Sequence, residues 1–537
     1  MNLEEKLKNF DYSLEEDILE EYSQDKSIFK IKPKAVVFPR NSEEIKNLVK
    51  IAKENNLGLT ARSGGTDMSG GSIGEDILIV FTKYFNKFNI DIKNKIAFVE
   101  PGIYFRDFEK EMNKYNLMLP SYPASKEICA LGGMVANNSG GEKTLKYGKT
   151  ENYVLGLNVI LSDGEEHYFE KLDEDKLQKK FSMQNFEGEI YRKVYDLIKN
   201  NHELIQKSKP KVSKNSSGYN IWKIYDDDCF DLTKLFVGSQ GTLGIIREIK
   251  LQLVEKEKFS QLLVIFIKDL KDLPNFTNEI LKLQPTSLEI TDDHTFKIFL
   301  KFAKEMASLL GTKGIFSMLK LFFPEILMIT KIGFPKLIVL AEFTSQSQDE
   351  IKEKVGKAKE IIKNYKYLFR QPKNERETEK YWRLRRDTYK LLREKIKNLT
   401  ASPFVDDFII LPEYLPEFLP KLYKILNEYK LIYTISGHLG DGNLHIIPLM
   451  DLKNEKQRKN ILEITDKVYD LVLSYKGILT AEHNDGLIRS PYLEKEFGKE
   501  IYNIFLEIKK IFDPQGIFNP HKKINVNKEY LNQWIVK

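Results

Sequence analysis

Over the first 255 residues, short apolar runs alternate with segments whose apolar residues recur every three or four positions. AVVFP (35–39) predicts a strand closed by Pro39. Asn41-Ser42-Glu43-Glu44 then offers a helix N-cap and an acidic first turn. Ile45, Leu48, Val49 and Ala52 follow on one helical face, and Gly58 reads as the residue that ends the helix. LTAR (59–62), ILIVF (77–81) and IAFVEPG (96–102) predict further strands. VLGLNVILSDGEEHYF (154–169) predicts a hairpin around Asp163-Gly164, and strands at LFV (235–237) and IIREIKLQLV (245–254) flank GSQGTLG.

Beyond KEK (256–258) the rhythm changes. Strands predicted at LLVIFI (262–267), KLIVLAEF (336–343), FVDDFIIL (404–411) and LIYTIS (431–436) are separated by long amphipathic helices, over 347–365 and 376–397. Long helices and few strands argue for an antiparallel sheet covered on one face by helices, not a barrel. The fold class is therefore α+β. It divides into an N-terminal helical segment (1–30), a first domain (31–255), a second (256–480) and a C-terminal segment (481–537) whose FDPQGIFNP turns back to the first.

With 42% hydrophobic residues in 537, the chain can bury a large core. Lys and Arg number 84 against 78 Asp and Glu; the net charge of +6 is small and interspersed, so no dedicated nucleic-acid surface is expected. Cys129 and Cys229 form no CxxC, which excludes an iron–sulfur cluster on this chain and points to a reducing compartment. The acidic N-terminus is unlike a targeting peptide. Lys320, Pro324, Glu325, Lys331 and Lys336 interrupt the apolar stretch 315–343, so no run reaches the ~18–20 residues of a membrane helix. That stretch predicts a buried or lid helix pair, in a cytoplasmic protein whose membrane contact is at most peripheral.

ARSGGTDMSGGSIG (61–74) carries five glycines after a strand, which lets several backbone N–H groups point at one anion. The spacing is not that of a GxGxxG fingerprint. Nor is it a P-loop, because Lys143 stands where the first glycine before Gly148-Lys149-Thr150 belongs. A flexible surface loop is the plain alternative. PSYPASKEICALGGMVANNSGG (120–141) and GSQGTLGII (238–246) are equally rich in small residues, and three such segments in one domain call for a large, polar, anionic ligand.

Of seven histidines, His438 and His445 fall in GHLGDGNLH and His483 in AEHND. A strand leads into the first loop and another leads out, so a hairpin can set His438 and His445 face to face. With Glu482 they make a three-ligand divalent site that keeps a position open for substrate, leaving His483 as a base. Asp441 reads as a turn residue.

In this order, PRNSEEI, RSGGTDMSGGS, PASKEICALGGMVANNSGG, LKYGKTENYVLGLNVILSDGE, FVGSQGTLGII, GHLGDGNLH, AEHNDGL and IFDPQGIFNP resemble one family. It is the FAD-binding PCMH-type flavoproteins of the vanillyl-alcohol oxidase superfamily, D-2-hydroxyacid dehydrogenase branch, and the likeness covers about residues 20–525. The resemblance implies a two-part FAD-binding domain over 31–255, a substrate-binding cap with a metal site over 256–480, and a C-terminal segment completing the active site. It implies that Arg62, Ser63, Gly64, Gly65, Thr66, Asp67 and Met68, with Ser72 close by, hold the FAD diphosphate. Pro123, Ser125, Gly132, Gly133, Asn138, Ser139 and Gly140 would line the ribityl and isoalloxazine region. Ile245 and Ile246 would contact the adenine half, and Asn519 would approach the flavin ring.

By the same resemblance His438, His445 and Glu482 are ligands of zinc or manganese, and His483 is the base. Arg385 matches the arginine that grips the substrate carboxylate, with Arg386 and Arg489 as further candidates. Thr66 stands where covalently flavinylated relatives often carry His, so noncovalent FAD is implied. Asn484 and His521 replace common glycines. The implied activity is oxidation of a small D-2-hydroxy acid, like D-lactate or glycolate, with hydride transfer to the flavin. Electrons then pass to a separate acceptor: a quinone, an electron-transfer flavoprotein or an iron–sulfur protein. The alternatives are a transferase like alkylglycerone-phosphate synthase, without net redox, and a metal-dependent hydrolase. No second cation for a dicarboxylate is assigned, which counts against 2-hydroxyglutarate.

Overall fold

The computed structural model describes residues 3–226, 229–301, 328, 330, 333–395 and 399–537. Most of the helix pair predicted within 315–343 lies outside them. Three large sheets organise the described residues, beside a two-stranded one that pairs Leu117–Met118 with Val254–Glu255. The first has Tyr12–Ser13, Ala35–Val37, Ile77–Val80 and Leu59–Arg62 in that order, the last three parallel. Its helix, Ser42–Asn55, starts at Asn41, whose side chain accepts the Glu44 N–H, and buries Ile45, Leu48, Val49 and Ala52. It ends at Asn56, in the left-handed region at φ 53°, and not at Gly58 as the sequence suggested. Asn tolerates that geometry, so the earlier residue makes the cap.

The second sheet is antiparallel and seven-stranded. It runs Tyr225–Asp226, Cys229–Asp231, Glu166–Leu172, Val154–Ile160, Ile245–Gln252, Ile96–Val99, Phe88–Asp91. The segment predicted as a strand at 235–237 is instead mostly helix, Thr233–Phe236. Asp231 causes this: its carboxylate accepts the backbone N–H and hydroxyl of Thr233 and starts a turn.

The third sheet has a spine of seven strands, all paired antiparallel: Leu368–Arg370, Phe259–Ile267, Leu337–Ser345, Ser287–Asp292, Ile432–His438, Asn443–Met450 and Thr400–Ala401. One face packs under the helices Leu273–Leu281, Gln348–Asn364, Leu415–Glu428 and Glu455–Ser474. The other face is also partly covered, because Tyr381 and Trp382 of helix Glu375–Lys395 sit on Leu262, Val264 and Phe266. That explains why strand Phe259–Ile267 reads apolar without alternation: Leu263, Ile265 and Ile267 face one core and Leu262, Val264 and Phe266 the other. The strand predicted over 404–411 shrinks to Phe408–Ile409, because Asp406 and Asp407 turn into the site described below.

The C-terminal residues return to the first sheet. Leu59 donates its N–H to the Ile517 carbonyl at 2.7 Å and accepts from Asn519, while Ile517 and Phe518 join the core around Leu48 and Ile79. No helix among the described residues is long and apolar enough to cross a membrane.

Candidate active site

The glycine-rich segments and the histidine hairpin open onto one cavity of about 640 Å³. On one wall, Ser63, Gly64, Gly65, Thr66, Asp67, Met68 and Ser72 follow strand Leu59–Arg62. Among the described residues, the backbone N–H groups of 63–68 donate to no protein acceptor, although the Asp67 carboxylate ties down Ser69 at 2.5–2.6 Å. Six adjacent donors without a protein acceptor, in a partly buried loop on the cavity, are free to meet an anion in place of water. Gly133 supplies a second cradle: a Cβ built there would meet no atom within 4 Å, so the missing side chain leaves open space beside the cavity. These features fit a diphosphate-bearing flat cofactor.

Pro123, Ser125, Gly132, Ser139, Gly140 and Ile246 also line the cavity. Four residues expected there stand behind its wall. Arg62 donates to the carbonyls of Tyr22, Gln24 and Ser72, and its guanidinium backs Gly65, where a Cβ would come 2.4 Å from Nη2. Asn138 accepts the Glu151 N–H from a left-handed helix cap. Ile245 packs with Ile160 and Phe518, on the opposite strand face from Ile246. Asn519 does not reach the cavity; its amide donates to the carbonyls of Gly71 and Gln240 at 2.8 and 2.7 Å, and those two residues line it.

The opposite wall is the third sheet. Strand alternation buries Leu288, Ile290, Ile435, Leu444 and Ile446 under the helices. It thereby presents Glu289, Thr434, Ser436, His438 and His445 to the cavity, with Arg385 from helix Glu375–Lys395. Glu289 lies directly across the strand pair from His438 and accepts from its Nδ1 at 2.6 Å, leaving Nε2 3.4 Å from Glu482 Oε1. The rings of His438 and His445 are 5.2 Å apart and near-perpendicular; those of His445 and His483 stack at 4.9 Å.

Asp406 binds both His445 Nδ1 (3.2 Å) and His483 Nδ1 (2.7 Å). Potential ligand atoms of Asp407, His445, Glu482 and His483 lie within 4.8 Å of one another. Asp407, however, already accepts from Thr480, Asn443 and the backbone N–H groups of Glu482 and His483, so it shapes the 480–483 turn. His438 lies outside that group of four, with its Nε2 facing Glu482 Oε1 at 3.4 Å. Glu482 is steadied by Lys214, whose Nζ is 2.6 Å from Oε1 and 3.0 Å from Asp441 Oδ2. Asp441 therefore sits in its turn, but its carboxylate serves Lys214 and Ser213 and does not cap Gly442.

Charges shape the titration. Burial pushes His438 down, but Glu289 and Glu482 outweigh it and raise it to about 9. For His483 burial is likewise outweighed, by Asp407 and Asp406, leaving it at about 9. Burial prevails at His445 and lowers it. Burial works to raise Glu482, yet His438 and Lys214 hold it well below the carboxylate range. Two imidazoles and one ionised carboxylate suit a divalent cation.

Of the arginines, Arg385 lines the cavity and touches Glu289 through Nε alone, at 3.0 Å. Arg386 also lines it, forked on Glu142. Arg489 does not: it is fully buried, donating to the Asn484 and Asp406 carbonyls. Sequence reasoning missed Glu289, Asp406, Lys214 and Glu142. Only the paired acids in FVDDF, inside an apolar run, hinted at one of them.

Glycine loops facing an imidazole–carboxylate group across one cavity define a flavoenzyme-type site, and the family comparisons agree. Residues 33–169 match the FAD binding domain family and residues 256–523 the C-terminal domain of FAD linked oxidases. The chain belongs to the PCMH-type FAD-linked oxidases, a family of FAD-dependent oxidoreductases.

Among its relatives, a D-2-hydroxyglutarate dehydrogenase of Pseudomonas putida is 26% identical, over 93% of this chain and 49% of its own length. The chain thus spans about half the length of that relative. Glycolate oxidase subunit GlcD of Bacillus subtilis is 26% identical over 91% of this chain and 88% of its own, and a D-lactate dehydrogenase of Archaeoglobus fulgidus 25% identical over 91% of each. The solved structure of p-cresol methylhydroxylase with substrate bound shares the fold, with a TM-score of 0.69 at 16% identity, covering 98% of this chain and 96% of that one.

Proposed function

We propose that this chain oxidises a small D-2-hydroxy acid, of the D-lactate or glycolate kind, to the 2-oxo acid. It would use noncovalent FAD and a divalent metal, zinc or manganese, at His438, His445 and Glu482. One observation carries the reading: the unpaired amides of 63–68 and the imidazole–carboxylate group with Arg385 share a cavity. Bound FAD supplies a two-electron acceptor for the α-hydride, and the bound metal a Lewis acid for the substrate hydroxyl.

The chain's residues do the rest. Arg385 presents its two Nη groups to the substrate carboxylate, a planar fork matched to it. In its neutral form, which a bound cation beside it would favour by drawing its pKa down from about 9, His483 takes the hydroxyl proton on Nε2, since Nδ1 is held by Asp406, and Asp406 stabilises the imidazolium that results. Glu289 fixes which nitrogen of His438 faces Glu482. Electrons leave to a separate acceptor: a quinone, an electron-transfer flavoprotein or an iron–sulfur protein. The reading takes 31–255 as the FAD-binding domain, 256–480 as the cap, 481–537 as the segment completing the site, and the cytoplasm as its location.

Two results are expected of the metal site. Glu289→Gln should weaken zinc or manganese binding by about 10–100-fold in a chelator competition, with FAD content unchanged. Because His438 carries a proton below about 9 in the metal-free protein, metal uptake must release it. Apparent metal affinity should therefore rise with pH, about tenfold per unit, and level off above about 9.

The reading as a whole is tested by mixing FAD- and metal-replete protein anaerobically with D- and L-2-hydroxy acids. Loss of the flavin's visible band with a D-acid supports it; an oxidised flavin with every member of the panel contradicts it.

A further inference from the structure

We propose that Glu142 is a specificity-determining residue that restricts the cavity to 2-hydroxy acids bearing a single carboxylate. The inference rests on the 2-hydroxy-acid reading above and names its substrate class. Adjacent arginines, Arg385 and Arg386, both line the cavity from helix Glu375–Lys395, yet they are in different states. Arg386 is closed into a fork with Glu142: Nε reaches Oε2 at 2.7 Å and Nη2 reaches Oε1 at 2.6 Å. The Tyr122 hydroxyl donates to the same carboxylate at 3.0 Å.

The Glu142 side chain is 10% exposed and that of Arg386 22%, so water screens the pair weakly. Burial works to raise Glu142, but Arg386 holds it below the usual carboxylate range, so it remains charged. Arg386 is thereby neutralised. Arg385 engages Glu289 through Nε only, and its Nη groups make no hydrogen bond within the described residues. Of the two lysines on the wall, Lys126 is paired with Glu109 at 3.1 Å, and Lys26 is not without a partner either.

Glu142 lines the same cavity as Glu482, and its partner Arg386 adjoins Arg385, which touches Glu289. Glu142 lies two residues after Gly140, where a Cβ would come 3.0 Å from Glu482 Oε1. One open guanidinium fork serves one carboxylate. A second carboxylate on the substrate side chain meets the fixed negative charge of Glu142 where an accessible cation would be needed. Without Glu142, Arg386 would supply that cation.

The test compares binding of pyruvate and 2-oxoglutarate to FAD- and metal-replete protein by calorimetry, alongside anaerobic flavin reduction by D-lactate and D-2-hydroxyglutarate. Wild-type protein should bind pyruvate at least about 10-fold more tightly than 2-oxoglutarate. Glu142→Gln, which keeps the shape and removes the charge, should shift that ratio toward 2-oxoglutarate by about 10-fold or more. Wild-type protein that binds 2-oxoglutarate as tightly as pyruvate overturns the proposal without any variant. So does a folded Glu142→Gln protein with an unchanged ratio. Flavin that stays oxidised with every acid of the panel above overturns the underlying 2-hydroxy-acid reading, and the proposal falls with it. Reduction by D-lactate with equal handling of the dicarboxylate overturns the role of Glu142 alone.

Discussion

His483→Ala should lower the rate of anaerobic flavin reduction by about 10³-fold while leaving the protein yellow and its metal in place. The size follows from the work removed, a positioned proton acceptor, which contributes roughly 10²–10⁴. His483 is a good candidate for so clean an effect. Among the described residues its ring stacks on His445 and bonds only Asp406, through Nδ1, so little of the fold hangs on it. The backbone N–H that Asp407 holds is kept in the alanine variant. Stopped-flow reduction with parallel metal analysis checks this. A variant that reduces at the wild-type rate removes His483 from the chemistry, and one that loses metal makes it a ligand instead of a base.

Gly133→Leu should give a folded, colourless protein. Gly133 sits in helix Leu131–Asn137 without a positive φ, so leucine suits the backbone and should raise local helix stability by a few tenths to ~1 kcal/mol. Its side chain has open space to enter, beside the cavity that the unpaired amides of 63–68 also face. FAD occupancy should therefore fall to near zero after reconstitution, with circular dichroism and thermal unfolding close to those of wild-type apoprotein. Full FAD binding by this variant would mean that the cofactor does not lie against Gly133. Gly64→Ala is a poorer probe, because its Cβ would come 2.7 Å from the Ile128 carbonyl and disturb the wall itself.

How far the site could be read from sequence depended on whether its chemistry was contiguous along the chain. The glycine segments announce themselves because one anion cradle needs several small residues in a row. The histidines of GHLGDGNLH are legible because a hairpin pairs Ser436 with His445 and His438 with Asn443 by local register. Glu289 becomes visible only when strand Ser287–Asp292 is placed beside Ile432–His438, a pairing across 149 positions that local pattern does not fix. Lys214 reaches Glu482 from 268 residues away. Ile245 and Ile246 held a readable lesson: neighbours in a strand face opposite ways, so only one could touch the ligand. The strand misread at 235–237 went wrong because Leu235-Phe236-Val237 is apolar in any conformation, and the Asp231–Thr233 turn decided for helix.

A single anaerobic experiment bears most directly on the meeting of the two halves of the chain. FAD-loaded protein is mixed with one equivalent of D-lactate, protonated or deuterated at C2, before and after its metal is stripped and restored. Bleaching that is complete with metal, slower with deuterium, lost on stripping and regained on restoration is the expected result. Flavin that stays oxidised in the fully loaded protein, or that bleaches equally well without metal, would contradict a shared cavity in which both act on one substrate.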